Sequence, residues 1–426
     1  MTPRVVLYNP RAEYWTMPLA LLALASSLDR KRFEPVVVDG RLETDPVESV
    51  LSTCDGAVCL GCTVLSGTPI LDALSVTRAV KAEHPGLPVV WGGWHPSVLP
   101  LSCLEDPAVD IAVQGQGELV LNEIVDDLAD GVFPIGRAGC TVRTADGEVS
   151  STPQRPLADL GSLPPLDYEL IDVEEYFRLK GMKQIDYISS LGCRYRCSFC
   201  ADPAVYGRQW SGLEPGRVGE DLERLWRRWR FDDVNFQDEN FFTSADRVAG
   251  VATELLERGL GCTWAATLRA DQGARLTEEV FELCSRSGLR RVIIGVEAAT
   301  RQGLELLRKD ITLDQVRLAA ERCSRHKIAA AFPFIVGLPN EPESSVHAAL
   351  RFSAELRAMD EAFETPFFFY QPYPGTELGN ALDAGGHRSP TSLCDWTDFD
   401  FVGTPGSWVP EATRRLVEPH ILPSIS

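Results

Sequence analysis

Apolar positions in the first 130 residues fall into two alternating kinds of run. Short, largely apolar stretches of strand length occupy residues 4–8, 35–38, 56–64, 87–91 and 109–113, and longer runs of helix length occupy 19–28, 70–83 and 119–128. Strands alternating with helices predict a doubly wound parallel sheet. The alternation resumes with strands at 185–189, 233–237, 262–267, 291–296, 331–336 and 365–370. Six such strand-and-helix units predict a partial (β/α)6 barrel, open on one side, with its chemistry at the C-terminal strand ends.

The chain is therefore read as α/β throughout, with four parts: a sheet domain over 1–130, a linker over 131–180, a barrel over 181–376 and a short C-terminal cap over 377–426. The linker carries Pro153, Pro156, Pro164 and Pro165 and has room for a small hairpin. The cap is irregular and aromatic, with Trp396, Phe399, Phe401 and Trp408.

Charge narrows the partners. Sixty-one acidic against 41 basic residues give a net charge of -20, which repels phosphate backbones; with no unusually basic patch in view, a nucleic-acid partner is not expected. The apolar run at 17–28 is too short to span a bilayer and follows no basic segment, so no membrane partner is expected and the location is read as cytoplasmic. In such a reducing compartment the twelve cysteines are read as metal ligands or buried thiols.

Their spacing separates the two classes. Cys193, Cys197 and Cys200 form CxxxCxxC directly after the first barrel strand. Three thiolates so placed can each take one iron of a cubane cluster, leaving the fourth iron open to another ligand. The alternative, a structural zinc site, calls for a fourth Cys or His in the usual paired arrangement, and no such pair follows. Cys54, Cys59 and Cys62 imitate a ferredoxin spacing, but Cys59 and Cys62 lie on a predicted strand and point to opposite faces, so they are read as packing. The remaining six cysteines are scattered singly.

CxxxCxxC with an aromatic, Phe199, before its last cysteine resembles the motif of the radical S-adenosylmethionine superfamily. The resemblance covers residues 185–375 and implies a [4Fe-4S] cluster whose open iron chelates S-adenosylmethionine, cleaved by one electron to methionine and a 5'-deoxyadenosyl radical. It also implies a flavodoxin- or ferredoxin-type electron donor. By the same resemblance Gln237, Asp238, Glu239 and Asn240 face the methionine ammonium, Gly295-Val296-Glu297 matches a later glycine and glutamate element, and Arg269 meets the carboxylate. Gly337-Leu338-Pro339 and Pro374-Gly375-Thr376 recur in similar chains near the adenosine and the barrel rim. Taken only as strand-end residues, these side chains serve equally well to cap a helix or pair across a loop.

Three loops at the strand ends of the first domain carry glycine: Leu65-Ser66-Gly67-Thr68, Gly92-Gly93-Trp94-His95 and Gly115-Gln116-Gly117-Glu118. In position and order they resemble the cobalamin-binding domain ahead of the barrel in cobalamin-dependent radical S-adenosylmethionine enzymes, a group of class B-like methyltransferases and related cyclases or dehydratases. None of the six histidines has Asp two positions earlier, so the DxHxxG cobalt-ligand motif is absent. His95 is read as a loop residue bonded to backbone.

The resemblance implies a cobalamin-dependent C-methyltransferase acting on a small molecule in secondary metabolism, for which an acidic chain suits a cationic substrate. One alternative is a radical dehydratase, isomerase or cyclase whose N-terminal domain has lost cobalamin. Another is a cobalamin- or nucleotide-binding regulator whose cluster senses redox state. No catalytic side chain is assigned.

Overall fold

In the computed structural model, which describes residues 2–144, 146–386, 389–399 and 404–421, the chain divides into two compact units. One comprises Met1–Val173, Ala204–Gln209 and Asp383–Asp400; the other comprises Glu174–Pro203, Trp210–Leu382 and Phe401–Ser426.

The layout of the first unit follows from β1 (Arg4–Asn9). Val5 and Leu7 enter one apolar cluster, Val6 and Tyr8 another. A strand apolar on both faces belongs inside a covered parallel sheet. β2 (Glu34–Asp39), β3 (Ala57–Thr63), β4 (Val89–Gly92) and β5 (Ile111–Val113) complete the parallel part in the order β2-β1-β3-β4-β5. Helices Pro46–Cys54 and Thr68–Glu83 pack on one face, Leu19–Ser27 and Glu118–Ala129 on the other. The proline-rich stretch supplies β6 (Cys140–Arg143) and β7 (Val149–Ser151), an antiparallel hairpin that extends the sheet past β5. Cys59 lies in one cluster and Cys54 and Cys62 in the other, and burial pushes the Cys59 thiol up to about 12.

In the second unit β8 (Gln184–Tyr187) is followed by a small antiparallel pair, β9 (Ser190–Gly192) and β10 (Trp210–Gly212). The main sheet continues from β8 through β11 (Asp233–Phe236), β12 (Thr263–Thr267), β13 (Leu289–Ile293) and β14 (Ala329–Ala331), all parallel and in chain order. Beyond β14 the strand breaks at Pro333 and resumes as β15 (Phe334–Val336); its neighbour β16 (Phe363–Glu364) breaks at Pro366 and resumes as β17 (Phe367–Phe369). Proline donates no ladder hydrogen bond, so each break falls where the sequence demands one. Pro333 O instead accepts from Val296 N and Glu297 N, at 3.2 and 3.0 Å. β8 and β16 are not paired with each other, which leaves the partial barrel open.

The stretch expected to form one cap is divided. Leu393 and Trp396 join the first unit's core, whereas Trp408 Nε1 donates to Gly337 O at 2.8 Å in the second. Phe401 lies outside the described residues. No helix among them is long and apolar enough to cross a membrane.

Candidate cofactor sites

The cysteine loop starts where β9 ends, at Gly192 in a left-handed conformation (φ 77°). Its residues are tied down one by one. Buried Ser198 donates through N and Oγ to Leu307 O and Leu306 O, at 3.0 and 2.8 Å, and its own carbonyl accepts from Leu378 N at 2.8 Å. Arg196 makes a two-point ion pair with Asp310, and the Arg269 guanidinium lies 3.5 Å from the Tyr195 ring centroid. Cys193, Cys197 and Cys200 are half-buried, and burial pushes the Cys193 thiol up to about 11. Among the described residues no three donor side chains close on a single-ion position. A cubane asks for something different, one thiolate per iron, and a braced loop with three cysteines and no competing histidine fits that demand.

The expected polar groups sit at the strand ends but differ in availability. Asp238, after β11, is buried and already well partnered: it accepts from Ser189 N and Oγ and from Ser190 Oγ, at 2.8, 2.7 and 2.5 Å. Arg247 backs this cluster through Ser189, so Asp238 holds the β8–β9 connection in place. Gln237 Nε2 donates to Asp186. Glu239 accepts from Gly192 N at 3.1 Å; desolvation, together with the nearby Asp202 carboxylate, raises its pKa above the ordinary carboxylate value, and burial raises that of Asp202 in the same direction. Asn240 Oδ1, Asp202 Oδ1 and Gln272 Oε1 are buried without a hydrogen-bond partner among the described residues. Such orphaned acceptors are costly unless a ligand completes them, and they fit a polar cosubstrate.

Glu297, with φ 66°, is one of seven non-glycine residues in the left-handed region among the described residues, and its carboxylate pairs with buried Lys309. Lys309 Nζ also lies 5.8 Å from the Phe199 ring centroid. Sequence reasoning missed Lys309; the only signal was a lysine in a chain with few of them. Arg269, buried at the N-terminus of helix Ala270–Arg275, spends its donors on Asp271, Lys309 O and Cys197 Sγ, at 3.0, 2.6 and 3.6 Å.

At the edge of the first unit's sheet the three glycine loops are linked. Val64 O accepts from His95 N, Gly93 O accepts from Ser97 Oγ, and Ser97 Oγ accepts from Gly115 N. Gly93 has φ 97°, and a Cβ there would come 2.9 Å from Thr63 Oγ1 and Val64 N, so only glycine lets β3 and β4 approach this closely. His95 is the second residue of a short helix, Trp94–Val98, and its Nδ1 lies 2.9 Å from Ser66 Oγ. Its ring partner is thus a side chain, not the backbone expected of it. Burial lowers it to about 4, and Nε2 has no partner among the described residues. Glu118 is buried near Gln116, with a raised pKa from burial. Sheet order reverses between β1 and β3, and there a hollow of about 420 Å³ opens between Arg11, Ala12 and Glu13 after β1 and Thr68, Leu71 and Asp72 after β3. That is where open α/β sheets take ligands. The long helix Thr68–Glu83 begins there at Gly67 with no side-chain cap. The β1 loop was not among the expected residues.

Arg224, Arg227, Arg228 and Arg230 are exposed at the end of helix Pro215–Trp229, where Arg224 pairs with Asp221 and Arg227 with Glu223.

Comparison with known proteins agrees with this two-part geometry. Residues 187–353 match the radical SAM superfamily model, and residues 6–125 match the B12 binding domain model. The chain thus carries a radical SAM domain behind a B12 binding domain. Its cofactors are accordingly a [4Fe-4S] cluster, S-adenosylmethionine and cobalamin. An uncharacterized methyltransferase of Pyrococcus horikoshii is 29% identical over 366 residues, 85% of this chain and 77% of the relative. The anaerobic magnesium-protoporphyrin IX monomethyl ester cyclase of Rubrivivax gelatinosus is 27% identical over 375 residues, 85% of this chain and 64% of that one. Among solved structures, the radical S-adenosylmethionine methyltransferase TsrM of Kitasatospora setae shares the fold with a TM-score of 0.79 at 21% identity, over 90% of this chain and 76% of the other.

Proposed function

We propose that this chain is a cobalamin-dependent radical S-adenosylmethionine C-methyltransferase acting on a small molecule. The observation that carries the reading is one chain that joins a braced CxxxCxxC loop at a barrel strand end to a parallel sheet with an open switch-point edge. The cofactors supply the hard chemistry, hydrogen-atom removal from an unactivated carbon and a methyl group to replace it, while the protein positions and shields.

Cys193, Cys197 and Cys200 would hold the cluster, with Phe199 in the same loop as part of its surroundings. Glu239, Asn240 and Glu297 line the S-adenosylmethionine site, and Asp238 acts on it through Ser189 and Ser190. Leu65, Ser66, Gly67 and Thr68, with Gly92, Gly93, Gly115, Gly117 and Glu118, form the edge that receives cobalamin. A flavodoxin- or ferredoxin-type protein supplies the electron. Named relatives include both methyltransferases and cyclases, and the methyl reading follows the methyltransferases among them.

The test is anaerobic reconstitution with iron, sulfide and hydroxocobalamin. The expected protein holds about four irons and stoichiometric cobalamin, forms 5'-deoxyadenosine from S-adenosylmethionine under reduction, and moves the labelled methyl of S-adenosylmethionine onto the corrin. Protein that makes 5'-deoxyadenosine equally well when shown to lack cobalt would give the cyclase or dehydratase reading first place.

A further inference from the structure

Arg269 is a charged side chain that the structure brings against a cluster-ligand sulfur. Its Nη1 lies 3.6 Å from Cys197 Sγ, within hydrogen-bond range for sulfur. The other contacts leave the group little freedom: Nε on Asp271, Nη2 on Lys309 O, and the Tyr195 ring against the guanidinium. Arg269 is 7% exposed. Asp271 is itself buried and also takes Arg275 at 3.0 Å, so the arginine's partner is anchored from a second side.

This placement differs from that of a residue waiting for a ligand carboxylate. The guanidinium is planar, permanently charged and presents five donors in a fixed fork; here three point at protein groups and one of those groups is a thiol of the cluster loop. Hydrogen bonds to cluster sulfurs and nearby charge are among the levers that set an iron–sulfur potential. Reduction adds one electron, and so one negative charge, to the cluster. A buried cation beside a ligand sulfur stabilises that added charge more than it would in water.

We infer that Arg269 tunes the reduction potential of the cluster, holding it high enough for a one-electron donor of the flavodoxin or ferredoxin class to reduce it. The inference rests on the cluster assignment above. Electron and charge balance simply: the donor loses one electron, the cluster gains it, and no proton or bond changes at Arg269. The arginine is a positioning and tuning residue, with no contact to the reacting carbon.

The experiment is a redox titration of anaerobically reconstituted protein, followed by electron paramagnetic resonance, for the parent chain, Arg269→Lys and Arg269→Gln. Iron content is measured on the same samples, so loss of the cluster and loss of tuning are read separately. With iron content maintained, Arg269→Gln is expected to lower the reduced-to-oxidised ratio at a fixed potential by at least about tenfold, a shift of roughly 59 mV for a one-electron couple, and Arg269→Lys to fall between. S-adenosylmethionine affinity, measured on the oxidised protein, is expected to stay within about twofold. A Gln variant with full iron and an unmoved midpoint overturns the inference. So does a variant whose affinity collapses while its potential stays put, since that returns Arg269 to the carboxylate. Should the Gln variant fail to hold iron, Arg269→Lys decides by the same criterion; failure of both assigns Arg269 to building the loop and overturns the tuning role. A parent chain that assembles no cluster would instead refute the functional reading itself.

Discussion

Lys309 Nζ lies 2.8 Å from Glu297 Oε1, and both side chains are at most one-tenth exposed. A buried pair of this kind barely stabilises relative to apolar replacements, but breaking it strands a charge at a cost of about 3–5 kcal/mol. Gly295 belongs to the same unit: a Cβ there would overlap Glu297 Oε1 and come 2.7 Å from Lys309 Nζ.

Glu297→Gln is therefore expected to lower unfolding free energy by a few kcal/mol and to weaken S-adenosylmethionine binding. Glu297→Gln with Lys309→Met should regain much of the stability without regaining affinity. Denaturant titrations and equilibrium binding on the two variants check this; recovery of both together would show that the carboxylate acts on Lys309 alone.

Ser198 predicts a milder phenotype. Removing its hydroxyl leaves Leu306 O without that donor, a loss of about 1 kcal/mol, while both backbone bonds of the residue remain. Ser198→Ala should fold and bind iron, then release it faster to a chelator. An unchanged release rate would mean that the backbone bonds suffice.

His95 gives the first unit a pH signature. Burial lowers it from an ordinary 6.5 to about 4, so it is neutral in the fold while an unfolded chain takes up its proton. The contribution is complete above pH 6.5 and is lost as pH falls toward 4, up to about 3 kcal/mol in all. Unfolding free energies at pH 7 and 5 should diverge less in His95→Gln than in the parent. An equal difference in the two proteins would remove His95 as the cause.

Trp396 ties the C-terminal segment to the sheet edge: its carbonyl accepts from Gly67 N at 3.0 Å, and its ring lies 5.8 Å from His95. Trp396→Ala is expected to cost about 3–5 kcal/mol and to weaken hydroxocobalamin uptake by loosening the Gly67 loop. Spectroscopic titration with hydroxocobalamin at a temperature where the variant remains folded separates the two effects.

The strands were legible because parallel strands buried on both faces leave apolar runs, and all eleven expected ones are present to within a few residues. Short elements set by local chemistry were harder to see. Helix Pro46–Cys54 lacks an apolar run, although Asp45, whose carboxylate accepts from Val47 N and Glu48 N, and Pro46 mark its start. The site was legible as motif and obscure as partnership. CxxxCxxC is visible in the letters, but nothing in them says that Arg269 turns to Cys197, that Asp238 is spent on two serines, or that Lys309 returns to Glu297. Those contacts join residues 12 to 72 positions apart, and only the closed fold brings them together.

The burial of the thiols makes the chain its own occupancy gauge. Cys54, Cys59, Cys62, Cys103, Cys140, Cys262, Cys284 and Cys323 are buried, Cys394 is exposed, and the three cysteines of the loop lie between these extremes. A thiol reagent applied briefly to folded apoprotein should therefore add up to four tags, and to protein with a filled cluster one. Intact-mass measurement would then report the loaded fraction of any preparation, with Cys394 as the internal standard.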